Sequence, residues 1–88
     1  MWYTYVLESK KNKKLYTGQT SDLKRRLKEH NSRNGGYYTS RNTPFKLIFY
    51  EAYTNKLDTI KAENFFKSGY GREVLKKDKL KYYFKTNK

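Results

Sequence analysis

Eighty-eight residues without a cysteine suffice for one small domain and leave no means of building a disulfide framework, a disulfide-linked partner or a thiolate metal site. Apolar residues make up only 35% but aromatics reach 18%, so an aromatic-rich core is feasible, while no apolar run approaches the ~18 residues of a membrane span. The 21 Lys and Arg against 8 Asp and Glu give a net charge of +13, a field suited to a polyanion, although such a Lys-, Asn- and Tyr-rich composition also arises by drift in an AT-rich genome.

Trp2 to Ser9 alternates weakly and carries Trp, Tyr, Thr and Val, which predicts a strand. It opens without the basic segment of a signal peptide. Lys10 to Lys14 is a polar turn in which Asn12 is expected to tolerate a left-handed conformation, and Leu15 to Gln19 is the second strand. If the two runs pair as an antiparallel hairpin, Tyr5 and Tyr16 share a face, with Gly18 leaving room where the chain exits. Two phenols beside a backbone gap are either a packed aromatic patch or the start of a phosphate-chemistry site.

Thr20-Ser21-Asp22 supplies N-cap residues for a helix over Leu23 to His30. At about 100° per residue, Leu23 and Leu27 form its buried stripe, with Arg26 and His30 on the same side. Lys24 and Arg25 point away and suit contacts with a nucleic-acid backbone. Of the two neighbouring arginines, only Arg26 should face the hairpin, where a guanidinium flanked by leucines must snorkel to the rim or meet an anion. Asn31 to Thr43 reads as a loop. Its interleaved aromatics and arginines suit base stacking at Tyr38 and a backbone contact at Arg41, although such a loop is more often merely mobile.

Phe45 to Tyr53 has apolar residues on both faces, which predicts a central strand covered on both sides. A second helix comes next over Thr59 to Lys67, with Asp58 as its cap. Glu63 shares a face there with Thr59, Ile60 and Phe66. A helical glutamate is by default solvated, whereas one on a partly apolar face calls for a basic partner or a metal ion. Gly69 is expected to cap that helix, and Arg72 to about Phe84 reads as a third, docked by Val74, Leu75 and Leu80.

The order Tyr5, Tyr16-Thr17-Gly18, Arg26, His30, Glu63 on a β-β-α-β-α-α frame resembles the GIY-YIG nuclease superfamily, and within it the small single-domain bacterial members. Tyr3-Thr4-Tyr5 stands at the first half-motif with only the tyrosine kept, and Tyr16-Thr17-Gly18 keeps the outer residues of the second. The segments DLKRRLKEHN, TSRNTPFKLIFYEAY and AENFFKSGYGR succeed one another in the family order. The resemblance implies an α+β fold with a small three-stranded antiparallel sheet flanked by helices. It implies hydrolysis of DNA phosphodiester bonds, on branched, damaged or single-stranded forms, with one divalent ion (Mg²⁺ or Mn²⁺) on Glu63. Tyr5 and Tyr16 match the family tyrosines and Arg26 its catalytic arginine. Gly18 lies where nucleic acid would pass, and the expected location is the cytoplasm.

The chemistry asks for a cation beside oxygens that gain charge in a pentavalent transition state, which suits Arg26 and a metal ion. The general base is then Tyr5 or Tyr16, with Tyr5 preferred. A free phenol has a pKa of ~10, and beside Arg26 and a metal ion it is expected to fall. His30 either orients a phosphate, relays a proton or packs against the helix.

Overall fold

The computed structural model describes residues 1–32 and 42–86. Three strands form one antiparallel sheet: β1 (Trp2–Ser9), β2 (Leu15–Thr20) and β3 (Phe45–Tyr53), in the order β2-β1-β3. Among the described residues the helices are α1 (Leu23–His30), α2 (Lys56–Lys67), α3 (Gly69–Val74) and α4 (Lys81–Thr86), with a π-helical turn over Leu75–Lys79 between the last two.

The central strand is therefore β1, and Phe45–Tyr53, expected at the centre, is an edge strand with Tyr50 half exposed. A run apolar on both faces misleads here because β1 buries polar residues that find partners. The Thr4 hydroxyl donates to the Thr59 carbonyl at 2.8 Å, and Glu8 accepts from the Tyr83 hydroxyl at 2.6 Å. A buried polar group with a satisfied hydrogen bond costs little, so a central strand need not be apolar.

The β1–β2 turn is closed by Ser9, whose amide donates to the Lys14 carbonyl and whose hydroxyl accepts from the amides of Lys11 and Asn12. The left-handed residue is Lys13 (φ 66°), not Asn12. Asn12 instead uses its side-chain oxygen to accept from the Lys14 amide, the local bonding that short amides favour in turns.

Alternation along β1 divides the core in two. Tyr5 and Leu7 join Phe45 and the α1 leucines Leu23 and Leu27 on one face. Val6 joins Leu15, Ala62, Phe66 and Leu75 on the other. Asp22 caps α1, accepting from the Arg25 amide at 3.0 Å. Asn55, one turn earlier than the expected Asp58, caps α2 by accepting from the Leu57 amide at 2.8 Å. Asp58 sits in the first turn, where its charge complements the helix dipole.

Ser68, rather than Gly69, is the junction between α2 and α3. Its hydroxyl donates to the Phe65 carbonyl and accepts from the Gly71 amide. The required glycine is Gly71, where a Cβ would lie 1.8 Å from the Phe65 carbonyl oxygen. The expected continuous helix from Arg72 to Phe84 is interrupted by the π turn, closed by the Leu80 amide on the Leu75 carbonyl at 2.8 Å. Leu75, Leu80 and Phe84 are spaced five and then four residues apart. A five-residue turn brings Leu80 back to the face of Leu75, which an α-helical turn would not.

Candidate active site

The hairpin register sets the site. Tyr5 pairs with Gly18 and Leu7 with Tyr16, so both phenols project from the face covered by α1. Gly18 is buried beneath the Tyr5 ring, and a Cβ there would lie 2.5 Å from the phenol oxygen. Expected beside the nucleic acid, Gly18 presents no side chain and little surface; its absent side chain is the space the phenol occupies. His30, at the end of α1 and fully buried, stacks edge-on to both tyrosines, with ring centroids 5.9 Å from Tyr5 and 4.6 Å from Tyr16.

Tyr5 is the hub. Its hydroxyl lies 2.8 Å from His30 Nε2 and accepts from Arg26 Nε at 3.3 Å. Burial pushes the phenol up to about 12, opposed by the hydrogen bond and the charge of Arg26, and Tyr16 and Glu63 add to the rise. The expected fall of the Tyr5 pKa is thus reversed among the chain's own groups, because desolvation outweighs one cation. A phenol held neutral with Arg26 donating to its oxygen sends its own hydrogen to Nε2, which leaves the ring hydrogen of His30 on Nδ1. That atom is buried and has no partner among the described residues. Burial first, and the nearby Arg26 charge second, push His30 down to about 4, so it is neutral at physiological pH.

Arg26 faces the hairpin while Arg25 is exposed on the outer side of α1. The Arg26 Nη1 donates to Glu29 Oε1 at 3.1 Å, so the guanidinium is gripped from two sides with about a third of the side chain still open. Burial alone would lower its pKa, but the hydrogen bonds to Tyr5 and Glu29 more than offset this, and it stays cationic.

Glu63 enters from α2, on the opposite face of the sheet, and its negative charge is felt at Tyr5. Its side chain is only 18% exposed, and Oε2 meets Lys67 Nζ at 2.8 Å. Lys67 also borders a cleft of about 430 Å³ along β2, shared with Leu15, Tyr16, Thr17 and Arg72. No group of three or more His, Asp or Glu side chains able to hold a metal ion occurs among the described residues. Glu63 is thus a single carboxylate already paired with a lysine, and a divalent ion placed on it would have to take its remaining ligands from water and substrate phosphate.

Tyr5, Tyr16, Arg26 and His30 thus come together from β1, β2 and α1, while Glu63 on α2 is paired with Lys67 and reaches Tyr5 through its charge. Lys24 and Arg25 do not join them; both are exposed beside Asp22 and Lys28 in a shallow hollow on α1. Tyr38 and Arg41 lie outside the described residues. Sequence reasoning misses Lys67 and Arg72, although the four-residue spacing of Glu63 and Lys67 is a signal for the first. A second hollow of about 440 Å³, between β3 and α2, holds none of this group. Its Glu51 is engaged by the Tyr53 hydroxyl and by Lys79.

Residues 1–84 match the model of the GIY-YIG catalytic domain. A UPF0213 protein of Streptococcus agalactiae serotype V is 46% identical over 65 residues, 74% of this chain and 73% of that protein. A UPF0213 protein of Streptococcus pyogenes serotype M5 is likewise 46% identical, over 74% of this chain and 70% of its own. The solution NMR structure of a UPF0213 protein from Bacillus halodurans superposes with a TM-score of 0.58 at 36% identity, covering 98% of this chain and 94% of that one. With its three-stranded antiparallel sheet and a family match across nearly its full length, the chain belongs to the GIY-YIG family, a nuclease-type family.

Proposed function

We propose that this chain is a metal-dependent endonuclease that hydrolyses phosphodiester bonds in DNA, acting on branched, damaged or single-stranded forms during repair or recombination in the cytoplasm. The observation that carries the reading is the guanidinium of Arg26, held by Tyr5 and Glu29 in the cluster that His30 completes with Tyr16. An arginine that cannot reorient freely is prepared to stabilise charge that grows on phosphate oxygens as the pentavalent transition state forms. Lys67 and Arg72 on the cleft, with the net charge of +13, supply attraction for the strand.

The two tyrosines take different parts. Tyr5 is 2% exposed and its hydroxyl is committed to His30 and Arg26, so it is a positioning residue that aims the guanidinium. Tyr16 borders the cleft and is the phenol placed to orient the attacking water; as the phenolate, with its own proton given up to solvent, it would receive the water's proton. His30, neutral and buried, holds the Tyr5 hydroxyl in one orientation. Glu63 would hold the ion, Mg²⁺ or Mn²⁺, which when bound supplies Lewis-acid stabilisation of the leaving oxygen.

The test is cleavage of supercoiled plasmid and of branched oligonucleotides with Mg²⁺ or Mn²⁺. Glu63→Gln and Arg26→Ala are each expected to lower the rate by at least ~100-fold, the scale of removing one group that stabilises transition-state charge. Unchanged cleavage in both variants would sink this site. Salt-sensitive DNA binding with no turnover by the parent protein would favour a non-catalytic nucleic-acid-binding module instead.

A further inference from the structure

The Glu63–Lys67 contact bears on how the proposed nuclease site is loaded with its ion. We propose that Lys67 occupies the metal position on Glu63 in the ion-free protein and becomes a phosphate contact when the ion displaces it. This exchange rests on the nuclease function proposed for the chain, with Glu63 as the metal ligand.

Three observations converge. The ammonium of Lys67 touches Glu63 Oε2 at 2.8 Å, so a carboxylate suited to a hard cation already has one. The pair is uneven, with Glu63 18% exposed and Lys67 51% exposed. The confined partner is the carboxylate, and the mobile one is the four-carbon lysine stem. Lys67 also borders the cleft that Tyr16 and Arg72 share, so its released ammonium reaches that space by side-chain rotation alone.

The physical logic is a cation exchange. A carboxylate on a largely covered face is costly without a counter-ion, and Lys67 supplies one in the absence of metal. A dication on the same carboxylate repels the ammonium. Once expelled, the ammonium lies in a cleft whose other cation is Arg72, an arrangement stabilised by an incoming phosphate. Ion and strand therefore assist one another: the strand stabilises the displaced lysine, and the displaced lysine leaves Glu63 to the ion. Such reciprocity is thermodynamic coupling through a single side chain. An ordinary i,i+4 helical ion pair would show none of this.

The experiment titrates the full chain with Mn²⁺ without DNA, following the electron paramagnetic resonance signal of the free ion. Lys67→Gln is expected to tighten Mn²⁺ binding about two- to fivefold, the scale of releasing one partly exposed ion pair. Lys61→Gln removes the same charge from the same helix away from Glu63 and is expected to leave the affinity unchanged. Duplex DNA binding then supplies the second arm. In EDTA Lys67→Gln should lose little DNA affinity, because the lysine is largely held on Glu63; in Ca²⁺ its loss relative to the parent should be severalfold larger.

Mn²⁺ affinity in Lys67→Gln no higher than in Lys61→Gln overturns the proposal, as does equal loss of DNA affinity by Lys67→Gln in EDTA and in Ca²⁺. No binding by either the parent or Lys67→Gln at millimolar Mn²⁺ also overturns it. Glu63→Gln separates the exchange from the nuclease assignment: if that variant keeps the parent's Mn²⁺ affinity, Glu63 is not the ligand and both fall. If Glu63→Gln loses the ion while Lys67→Gln merely matches Lys61→Gln, only the exchange falls.

Discussion

At Tyr5, burial and hydrogen bonding set the surroundings of a side chain whose environment composition leaves open. A phenol near an arginine invites assignment as a base, but 2% exposure raises its pKa to about 12 and commits its hydroxyl to His30 and Arg26. The same burial leaves a trace in stability. The pKa of His30 is about 4 in the folded chain and ~6.5 when unfolded, so between these values the unfolded state binds the extra proton. Stability from His30 is therefore complete above pH ~6.5, declines as pH falls towards 4, and amounts to a few kcal/mol at most. Urea unfolding of the parent and of His30→Gln across this window should show a steeper acid loss in the parent; parallel curves would mean that His30 charges freely in the fold.

Among the elements, the C-terminal helices are held by few but specific contacts. The Tyr83 hydroxyl of α4 donates to buried Glu8 of β1 at 2.6 Å, and Lys46 of β3 stands 3.9 Å from the same carboxylate. Glu8 therefore ties α4 to two strands across 75 residues of chain. Tyr83→Phe removes the donor and leaves Glu8 with the more distant lysine. The expected cost is about 1–3 kcal/mol, with amide exchange in α4 accelerating more than exchange in β1 or β2. Uniform acceleration throughout the fold would instead show that α4 and the sheet open as one unit. The π turn belongs to the same docking, since it brings Leu80 and Phe84 onto the core alongside Leu75.

For the whole molecule, a charge of +13 on 88 residues makes ionic strength the main control on encounter with DNA. The logarithm of the association constant should fall linearly with the logarithm of salt concentration, by ~0.9 for each phosphate neutralised. A fluorescence-anisotropy series in KCl measures it. A slope magnitude below ~1 would mean that the charge is compositional and not organised along a binding path.

Much of this fold is legible in the chain itself. The two hairpin strands, α1 and its inward arginine arise from strand formers, a cap at Asp22 and leucines four residues apart, because these signals are local and act within a turn or two. The order of Tyr5, Tyr16, Arg26 and Glu63, together with the segments DLKRRLKEHN, TSRNTPFKLIFYEAY and AENFFKSGYGR, carries the family resemblance. What requires the tertiary structure is every property set by an environment built from distant residues. That β1 rather than β3 lies central depends on Thr4 and Glu8 finding partners at Thr59 and Tyr83, more than 50 residues away. The direction of the Tyr5 pKa depends on how far α1 and the sheet desolvate it. Desolvation and hydrogen-bond partnership are three-dimensional quantities, and no local pattern of residues encodes them.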